Sequence, residues 1–257
     1  MSASRTRRAA PALALALTLG VLTVLWSALA SSGRAAEADP NSFSAADVAS
    51  GQVLFTKGCA SCHGAAGQGG TQGPPLIGVG AAAVDFQVGT GRMPLKRPGP
   101  QAERADQQYS PVEIRQLDGY VASLGPGPAI PIVNAAAGDL GKGGDYFRAN
   151  CAQCHNFAGE GGALSSGKRA PAIYAATNQQ VVEAIRTGPE SMPVFAPTQL
   201  SDQQVNSIVR YVEFLRNPKD PGGHGIGHLG PIPEGLVIWL VGITGVLGFC
   251  LWIGSRA

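Results

Sequence analysis

Cys59-Ala60-Ser61-Cys62-His63 and Cys151-Ala152-Gln153-Cys154-His155 are the two stretches that decide the fold of this chain. Each contains two cysteines, two spacer residues and a histidine, which is the spacing used to attach a c-type haem. The cysteine sulfurs form thioether bonds to the porphyrin, and the adjoining imidazole binds the iron. The sequence therefore predicts two covalently bound haem c groups. The attachment residues are Cys59, Cys62, Cys151 and Cys154, and the proximal iron ligands are His63 and His155.

The same cysteines would also suit a redox switch, a disulfide or a four-cysteine zinc site. A zinc ribbon places its two cysteine pairs about 15–20 residues apart, whereas 88 residues separate Cys62 from Cys151. Neither a zinc ribbon nor a disulfide accounts for a histidine directly after each pair. The motifs therefore favour haem over these alternatives.

Two methionines are the predicted second axial ligands of the two irons. The chain has three methionines, of which Met1 is the initiator. Met93 and Met192 lie 30 and 37 residues after His63 and His155, and each is followed by a proline. Proline disfavours helix at the preceding residue, which suits a ligand on a loop. Methionines that fill gaps in a core are the alternative interpretation.

The repeat extends beyond the ligands, because matching residues lie at matching distances from the first cysteine of each motif. These are Gly51 and Gly143 eight residues before it, Phe55 and Phe147 four residues before it, and Tyr120 and Tyr211 at 61 and 60 residues after it. Glycine and phenylalanine four apart share one helix face. A glycine there would let the tyrosine of a second helix approach closely. The pattern predicts two homologous domains, residues 45–125 and 137–216.

Capping signals support an all-α fold class. Ser110 with Glu113 and Ser201 with Gln204 are spaced as capping boxes at the start of the last helix of each domain. Alternating strand patterns are absent from both copies, and glycine- and proline-rich loops at 67–75 and 160–171 are expected to wrap each haem. The formal net charge is only +2, so no nucleic-acid partner is implied.

Apolar stretches near both chain ends predict membrane segments. Residues 9–30 follow a basic cytoplasmic tail at residues 1–8, and residues 234–255 carry a tryptophan towards each end. Each is long enough to cross a hydrocarbon core of about 30 Å. The positive-inside rule then leaves both termini in the cytoplasm and both haem domains outside. The sequence Ala28-Leu29-Ala30 resembles a cleavage site, so a signal peptide is the alternative for the first stretch.

Three further residues have side chains that can bind a metal. His224 and His228 lie in a glycine- and proline-rich linker, residues 217–233, and are interpreted as linker or contact residues, with metal or haem ligation as the alternative. Cys250 lies in the second membrane stretch without a second cysteine nearby, and is interpreted as a small apolar residue.

The first domain has eight extra residues between its methionine and its closing tyrosine, compared with the second. This basic loop contains much of the run Arg92, Lys96, Arg97 and Arg104. One hypothesis is that the loop docks an electron-transfer partner through charge complementarity. A solvated loop without a partner is the alternative.

These residues together resemble the cytochrome c family: a first helix with glycine and an aromatic, the haem-attachment motif, a proline-bearing loop, an axial methionine and a closing helix with an aromatic. The resemblance implies that a proline carbonyl accepts the other N–H of each proximal histidine. Pro74 or Pro75 would do so in the first domain, and Pro171 in the second. Such a bond fixes the ring and raises its basicity.

A haem with both axial positions filled by histidine and methionine has no vacant position for oxygen or peroxide, so the expected activity is electron transfer without an independent substrate-converting site. A dihaem peroxidase or gas-binding enzyme is the contrasting hypothesis, and it needs an open or labile position on one iron. No further histidine lies inside either domain to act as an acid or base.

The whole arrangement is similar to the family of dihaem cytochrome c subunits of actinobacterial cytochrome bc complexes, which are quinol–cytochrome c reductases. That resemblance implies cytochrome b and the Rieske iron–sulfur protein as partners, and electron delivery to a haem-copper oxidase in the cell membrane. It also implies that the first haem accepts electrons and the second donates them. Alternatives are a dihaem subunit of another membrane oxidase or of a membrane-bound dehydrogenase.

Overall fold

The computed structural model describes residues 15–27, 39–218 and 231–256. The chain divides into two compact units, residues 1–42 and 43–257. The described part of the first unit contains one apolar helix, α1 (Leu15–Ser27). The predicted segment 9–30 extends beyond the described residues at both ends, so its retention or cleavage stays a prediction.

The second unit holds two consecutive helical domains followed by a long apolar helix. The first domain contains α2 (Ala45–Gly58), α3 (Ala60–His63), α4 (Gly80–Gly89) and α5 (Pro111–Ser123). A 3₁₀ turn (Ala135–Ala137) precedes the helices of the second domain, which are α6 (Leu140–Asn150), α7 (Ala152–His155), α8 (Asn178–Thr187) and α9 (Asp202–Arg216). The last helix is α10 (Pro231–Gly254).

The first and last helices of each domain pack through the predicted aromatic pair. The ring centroids are 5.1 Å apart for Phe55 and Tyr120, and 5.4 Å apart for Phe147 and Tyr211. Both phenylalanines are almost completely buried, and each lies in the hydrophobic core of its own domain. The helical spacing read from the sequence is therefore confirmed in both domains.

Glycine is required where these helices cross. A Cβ on Gly51 would overlap the carbonyl oxygen of Gln116 in α5, and a Cβ on Gly143 would overlap that of Ser207 in α9. In both cases the overlapping atom belongs to the backbone of the other helix, so a change of side-chain rotamer cannot relieve the overlap. The predicted close approach of the two helices is confirmed.

Capping boxes begin both closing helices, as predicted. Ser110 accepts from the backbone N–H of Glu113, whose carboxylate returns the bond, and Pro111 occupies the first turn. Ser201 and Gln204 form the same arrangement at the start of α9. Each box satisfies two backbone donors that the helix itself leaves without partners.

The described part of the chain contains one small sheet that the sequence patterns did not predict. It pairs β1 (Gly162–Ala163) with β2 (Arg169–Ala170) in antiparallel orientation. Each strand has only two residues, which is too few to show the alternation of apolar and polar residues that predicts a strand. The sheet closes the loop after the second haem motif and leaves the all-α class unchanged.

The two domains contact each other through helix α4 of the first and helix α8 of the second. Glu183 in α8 is 1% exposed, and Asp118 in α5 is 2% exposed. Both are carboxyl groups removed from water near this contact.

Among the described residues, α10 is the one helix that is long and apolar enough to cross a membrane. The apolar span covers Ile232–Gly254, with a mean hydropathy of 2.4. Its large apolar side chains are exposed, Trp239 and Trp252 included. Cys250 lies on this helix, also exposed, as a free thiol. An exposed apolar surface of this length fits a membrane anchor. His224 and His228 lie outside the described residues.

Candidate functional site

The haem motifs are wound as single helical turns that continue the first helix of each domain. The N–H of Cys59 donates to the carbonyl of Phe55 at 2.8 Å, and the N–H of His63 donates to that of Cys59 at 3.0 Å. In the second domain the matching bonds, from Cys151 and His155, are 2.8 and 2.9 Å long. Residues three and four apart on a helix share one face. The backbone therefore brings both cysteines and the histidine of each motif to the same side.

Both histidines are oriented by a proline carbonyl. Nδ1 of His63 lies 2.8 Å from the carbonyl oxygen of Pro74, and Nδ1 of His155 lies 2.9 Å from that of Pro171. A carbonyl only accepts, so Nδ1 carries the hydrogen and the lone pair of Nε2 is free to bind a metal. The resemblance left Pro74 and Pro75 open, and the structure selects Pro74.

The first cysteine of each motif lies in a surrounding that disfavours the thiolate. All four are free of disulfides. Burial raises the pKa of Cys59 and raises that of Cys151 to about 12, with the second cysteine of each motif adding to the effect. Redox-active cysteines have lowered pKa values. Among the described residues, no three His, Cys, Asp or Glu side chains group closely enough to hold one metal ion.

Each predicted methionine packs against the core of its own domain, as does the first cysteine of its motif. Met93 and Cys59 contact the cluster that contains Phe55, and Met192 and Cys151 contact the cluster that contains Phe147. The gap-filling and ligand interpretations both place a methionine against apolar residues, so the core contact alone does not separate them.

A cavity in the second domain brings the predicted ligands together. Cys151, Cys154, His155 and Met192 all line it, together with Pro171. Apolar side chains form much of the remaining wall, including Ile173, Val181, Ile185 and Phe195. An apolar cavity with thiols for covalent attachment, an imidazole with a free Nε2 and a thioether fits a haem c chemically.

The basic loop does not extend freely into solvent, because part of it lies against the second domain. The N–H of Ala102, which is buried, donates to the carboxylate of Glu190 at 3.1 Å. Arg104 donates to the side chain of Gln180 at 3.1 Å. Lys96 and Arg97 are exposed. The hypothesis of partner docking is therefore limited to the tip of the loop and does not extend to Arg104.

Sequence reasoning missed Arg186, which organises the loop that carries Met192. Its side chain is almost fully buried, and its Nη1 donates to the carbonyls of Phe195 and Leu200 at 2.9 and 2.8 Å. Its Nη2 pairs with Asp202 at 2.6 Å. The sequence shows an arginine at the end of the apolar face of a helix, which can indicate a buried charge. It does not show which carbonyls the arginine binds, because these come together only when the loop folds.

Two buried carboxyl groups near the domain contact were also missed. Burial, and then the neighbouring Asp85, raise the pKa of Asp118 to about 9. Burial and the adjoining carboxyl of Asp85 raise the pKa of Glu183 to about 10. Both groups are therefore neutral at pH 7. The signal in the sequence was an acid between inward-facing apolar residues, as at Val182-Glu183-Ala184.

Two family matches cover the two helical domains. Residues 48–125 match the cytochrome c family, and residues 138–212 match the family described as cytochrome c oxidase, cbb3-type, subunit III. The two matches confirm the predicted fold class of two tandem cytochrome c domains.

Relatives similar to this chain include cytochrome bc1 complex cytochrome c subunits. That of Mycobacterium tuberculosis (strain ATCC 25618 / H37Rv) is 43% identical, over 98% of this chain and 92% of the relative. The subunit of Mycobacterium leprae (strain TN) is 46% identical, over 83% of this chain and 77% of the relative. A more distant relative is the cbb3-type cytochrome c oxidase subunit CcoP of Azospirillum sp. (strain B510), 29% identical over 67% of this chain and 63% of the relative.

Proposed function

The chain belongs to the family of cytochrome bc1 complex cytochrome c subunits, and from that premise we propose that it carries electrons from a Rieske iron–sulfur protein to a haem-copper oxidase. Membership itself establishes an electron-transfer subunit with cytochrome c domains and covalently bound haem c, one for each domain. The donor, the acceptor and the ligands of each iron belong to the proposal.

The proposed attachment residues are Cys59 and Cys62 for the first haem, and Cys151 and Cys154 for the second. The proposed axial pairs are His63 with Met93 and His155 with Met192. The orientation of both imidazoles by proline carbonyls supports the histidines, because it frees Nε2 for iron. The shared cavity of His155 and Met192 supports the second pair.

Histidine–methionine ligation favours electron transfer over substrate conversion. The bound iron supplies a one-electron couple, and methionine raises its reduction potential. The chain packs one side of each site against a hydrophobic core and orients each imidazole through a proline carbonyl. With both axial positions filled, neither iron would have an open position for peroxide. We therefore assign no independent substrate-converting site.

Both haem domains are proposed to lie on the extracytoplasmic side of the cell membrane. The positive charge at residues 5–8 and at Arg256 supports cytoplasmic termini. The helix over Ile232–Gly254 would then be the carboxy-terminal anchor. Cytochrome b and the Rieske protein are the proposed partners within the complex, and the first haem is the proposed acceptor.

A subunit of a cbb3-type oxidase is the second candidate, because residues 138–212 match that family. The cbb3-type oxidase subunits that resemble this chain are 29% and 30% identical to it, over 67% and 65% of its length. The bc1 relatives reach 43% identity over 98% of the chain. The difference in coverage and identity favours the bc1 assignment.

Purification of the intact complex in a gentle detergent tests the assignment. The expected result is co-purification of cytochrome b, a Rieske protein and haem-copper oxidase subunits, with a haem mass added at both motif peptides. Co-purification of a dehydrogenase, or of an oxidase without cytochrome b, would overturn the route.

A kinetic experiment tests the order of the two haems. Rapid mixing of the oxidised complex with quinol is expected to reduce the first haem before the second. The two signals are assigned from Met93→His and Met192→His variants, each of which lowers the potential of one haem, and the order is read in the wild-type protein. Reduction of the second haem first would contradict the proposed order.

A further inference from the structure

The cavity of the second haem site has a wall that the first domain supplies. Phe86, Arg92, Gln101 and Arg104 line the same cavity as Cys151, His155 and Met192. Phe86 lies on α4, and the other three lie on the basic loop that follows it. The second site is therefore completed by residues about 50 or more positions before its own cysteines.

The charged groups around the whole cavity, from both domains, are predominantly cationic. Arg92, Arg104 and Arg169 line the cavity, against the single carboxylate of Glu190. Arg169 is already paired with Glu103 at 3.3 Å, and Glu190 accepts from the N–H of Ala102 at 3.1 Å. Arg104 has a neutral partner, the side-chain oxygen of Gln180 at 3.1 Å.

Arg92 has a donor without an acceptor. Its Nη1 is buried with no hydrogen-bond partner among the described residues, while its guanidinium lies 4.9 Å from the centre of the Phe86 ring. An unsatisfied buried donor on a charged group is among the costly defects of a folded protein. Arg92 also lines the cavity, so an anionic group of a cofactor bound there would lie close to its guanidinium.

Haem carries two propionate carboxylates, which are the anionic part of an otherwise apolar group. Arginine binds carboxylates through charge-assisted and often paired hydrogen bonds. We propose that Arg92 and Arg104 of the first domain hold the propionates of the second domain's haem. This inference rests on the proposed placement of that haem between His155 and Met192.

The assignment also gives the two sites a direct covalent connection. Arg92 directly precedes Met93, and both backbone N–H groups donate to the carbonyl of Gln87, each at 3.0 Å. The first haem's proposed ligand and the second haem's proposed anchor are thus adjacent on one short turn. The extra residues of the first domain position Arg104 and leave Lys96 and Arg97 outside the contact.

The test measures the reduction potentials of both haems in the full chain, purified in detergent. The wild-type protein must first show two low-spin haems, since failure there would contradict the proposed ligation and not the propionate contact. The two one-electron waves are assigned with Met93→His and Met192→His variants, each of which lowers the potential of its own haem.

Arg92→Gln and Arg104→Gln are expected to lower the potential of the second haem. An arginine beside the propionates favours the reduced iron, so its loss favours the oxidised iron. The expected change is roughly threefold to tenfold in the reduction equilibrium, where tenfold corresponds to 59 mV for one electron. Arg92→Lys keeps the charge and is expected to shift the second wave less than Arg92→Gln.

Arg97→Gln is the matched control, because it removes the same charge from an exposed position of the same loop. It is expected to leave the second wave unchanged within about twofold. Arg104 is exposed, so its variant keeps the test decisive even where Arg92→Gln fails to fold. The proposal is overturned if Arg104→Gln shifts the second wave no more than Arg97→Gln does, or shifts only the first.

Discussion

The carboxyl group of Glu183 in the second domain adjoins that of Asp85 in the first domain. One oxygen of Glu183 accepts from the side chain of Gln179 at 2.7 Å, while its Oε2 is buried without a donor. Two carboxylates in this position would repel each other, so a proton on Glu183 is required to complete the contact. The contact between the domains therefore contains a hydrogen bond that depends on protonation.

We expect the stability of the folded protein to fall as the pH rises through neutrality. Glu183 and Asp118 keep their protons up to about pH 10 and 9 in the folded state. In the unfolded chain each would lose its proton near its ordinary pKa of about 4. Unfolding then releases protons between these limits, and a higher pH favours unfolding. Melting curves of the haem protein, followed by absorbance from mildly acidic to mildly alkaline pH, check this direction.

Glu183→Gln is expected to flatten that pH dependence, because it removes about one of the protons released on unfolding. Glutamine can donate to Asp85 and accept from Gln179, so the contact itself is kept. The variant should match the wild type at acidic pH and melt at a higher temperature at alkaline pH. Glu160→Gln, at an exposed carboxylate, is the control. An unchanged pH slope in Glu183→Gln would show that Glu183 is ionised in the folded protein.

Gly143→Ala is expected to destabilise the second domain by about 1–3 kcal/mol or more, since the new methyl group meets the backbone of Ser207. Gly141→Ala lies two residues earlier on the same helix, where the nearest atom to a new Cβ is a side-chain oxygen at 3.5 Å. That control should be neutral or stabilising by up to about 1 kcal/mol. Chemical denaturation of the two variants compares them, and equal stabilities would disprove the close helix crossing.

Met93→Ala and Met192→Ala are each expected to convert one haem, and only one, from low spin to high spin. Removal of the thioether leaves the iron with an open axial position. Absorption and magnetic-resonance spectra of the oxidised protein count the high-spin irons. A variant that keeps two low-spin haems would show that its methionine is a core residue and not a ligand.

Arg186→Gln is expected to weaken the bond between Met192 and the second iron without affecting the first. The substitution removes the guanidinium group that donates to the carbonyls of Phe195 and Leu200, so the loop that carries Met192 becomes less ordered. Spectra recorded with rising temperature should show loss of low-spin signal from the second haem at a lower temperature. Asp202→Asn keeps the bonds to both carbonyls and should have a smaller effect. Equal transitions in both variants would contradict the assigned role.

The basic loop shows where inference from the sequence stopped. Its length and charge were visible from the comparison of the two copies, and a solvent-facing role was the simplest hypothesis. The contacts of Arg104 with Gln180 and of Ala102 with Glu190 join residues 76 and 88 positions apart. No local pattern specifies such pairs, because they depend on how the two domains pack.

The sequence by itself determined the chemistry and the fold of this protein. Haem attachment, the two-fold repeat, the helix caps and the glycine–aromatic helix crossings all depend on neighbours within a few residues or on the spacing along one helix, which the sequence states directly. Only the tertiary structure decided that Pro74 orients His63, that Glu183 is protonated against Asp85, and that Arg92 and Arg104 face the second haem cavity. Those properties depend on burial and on contacts between distant segments, and both exist only once the domains are packed together.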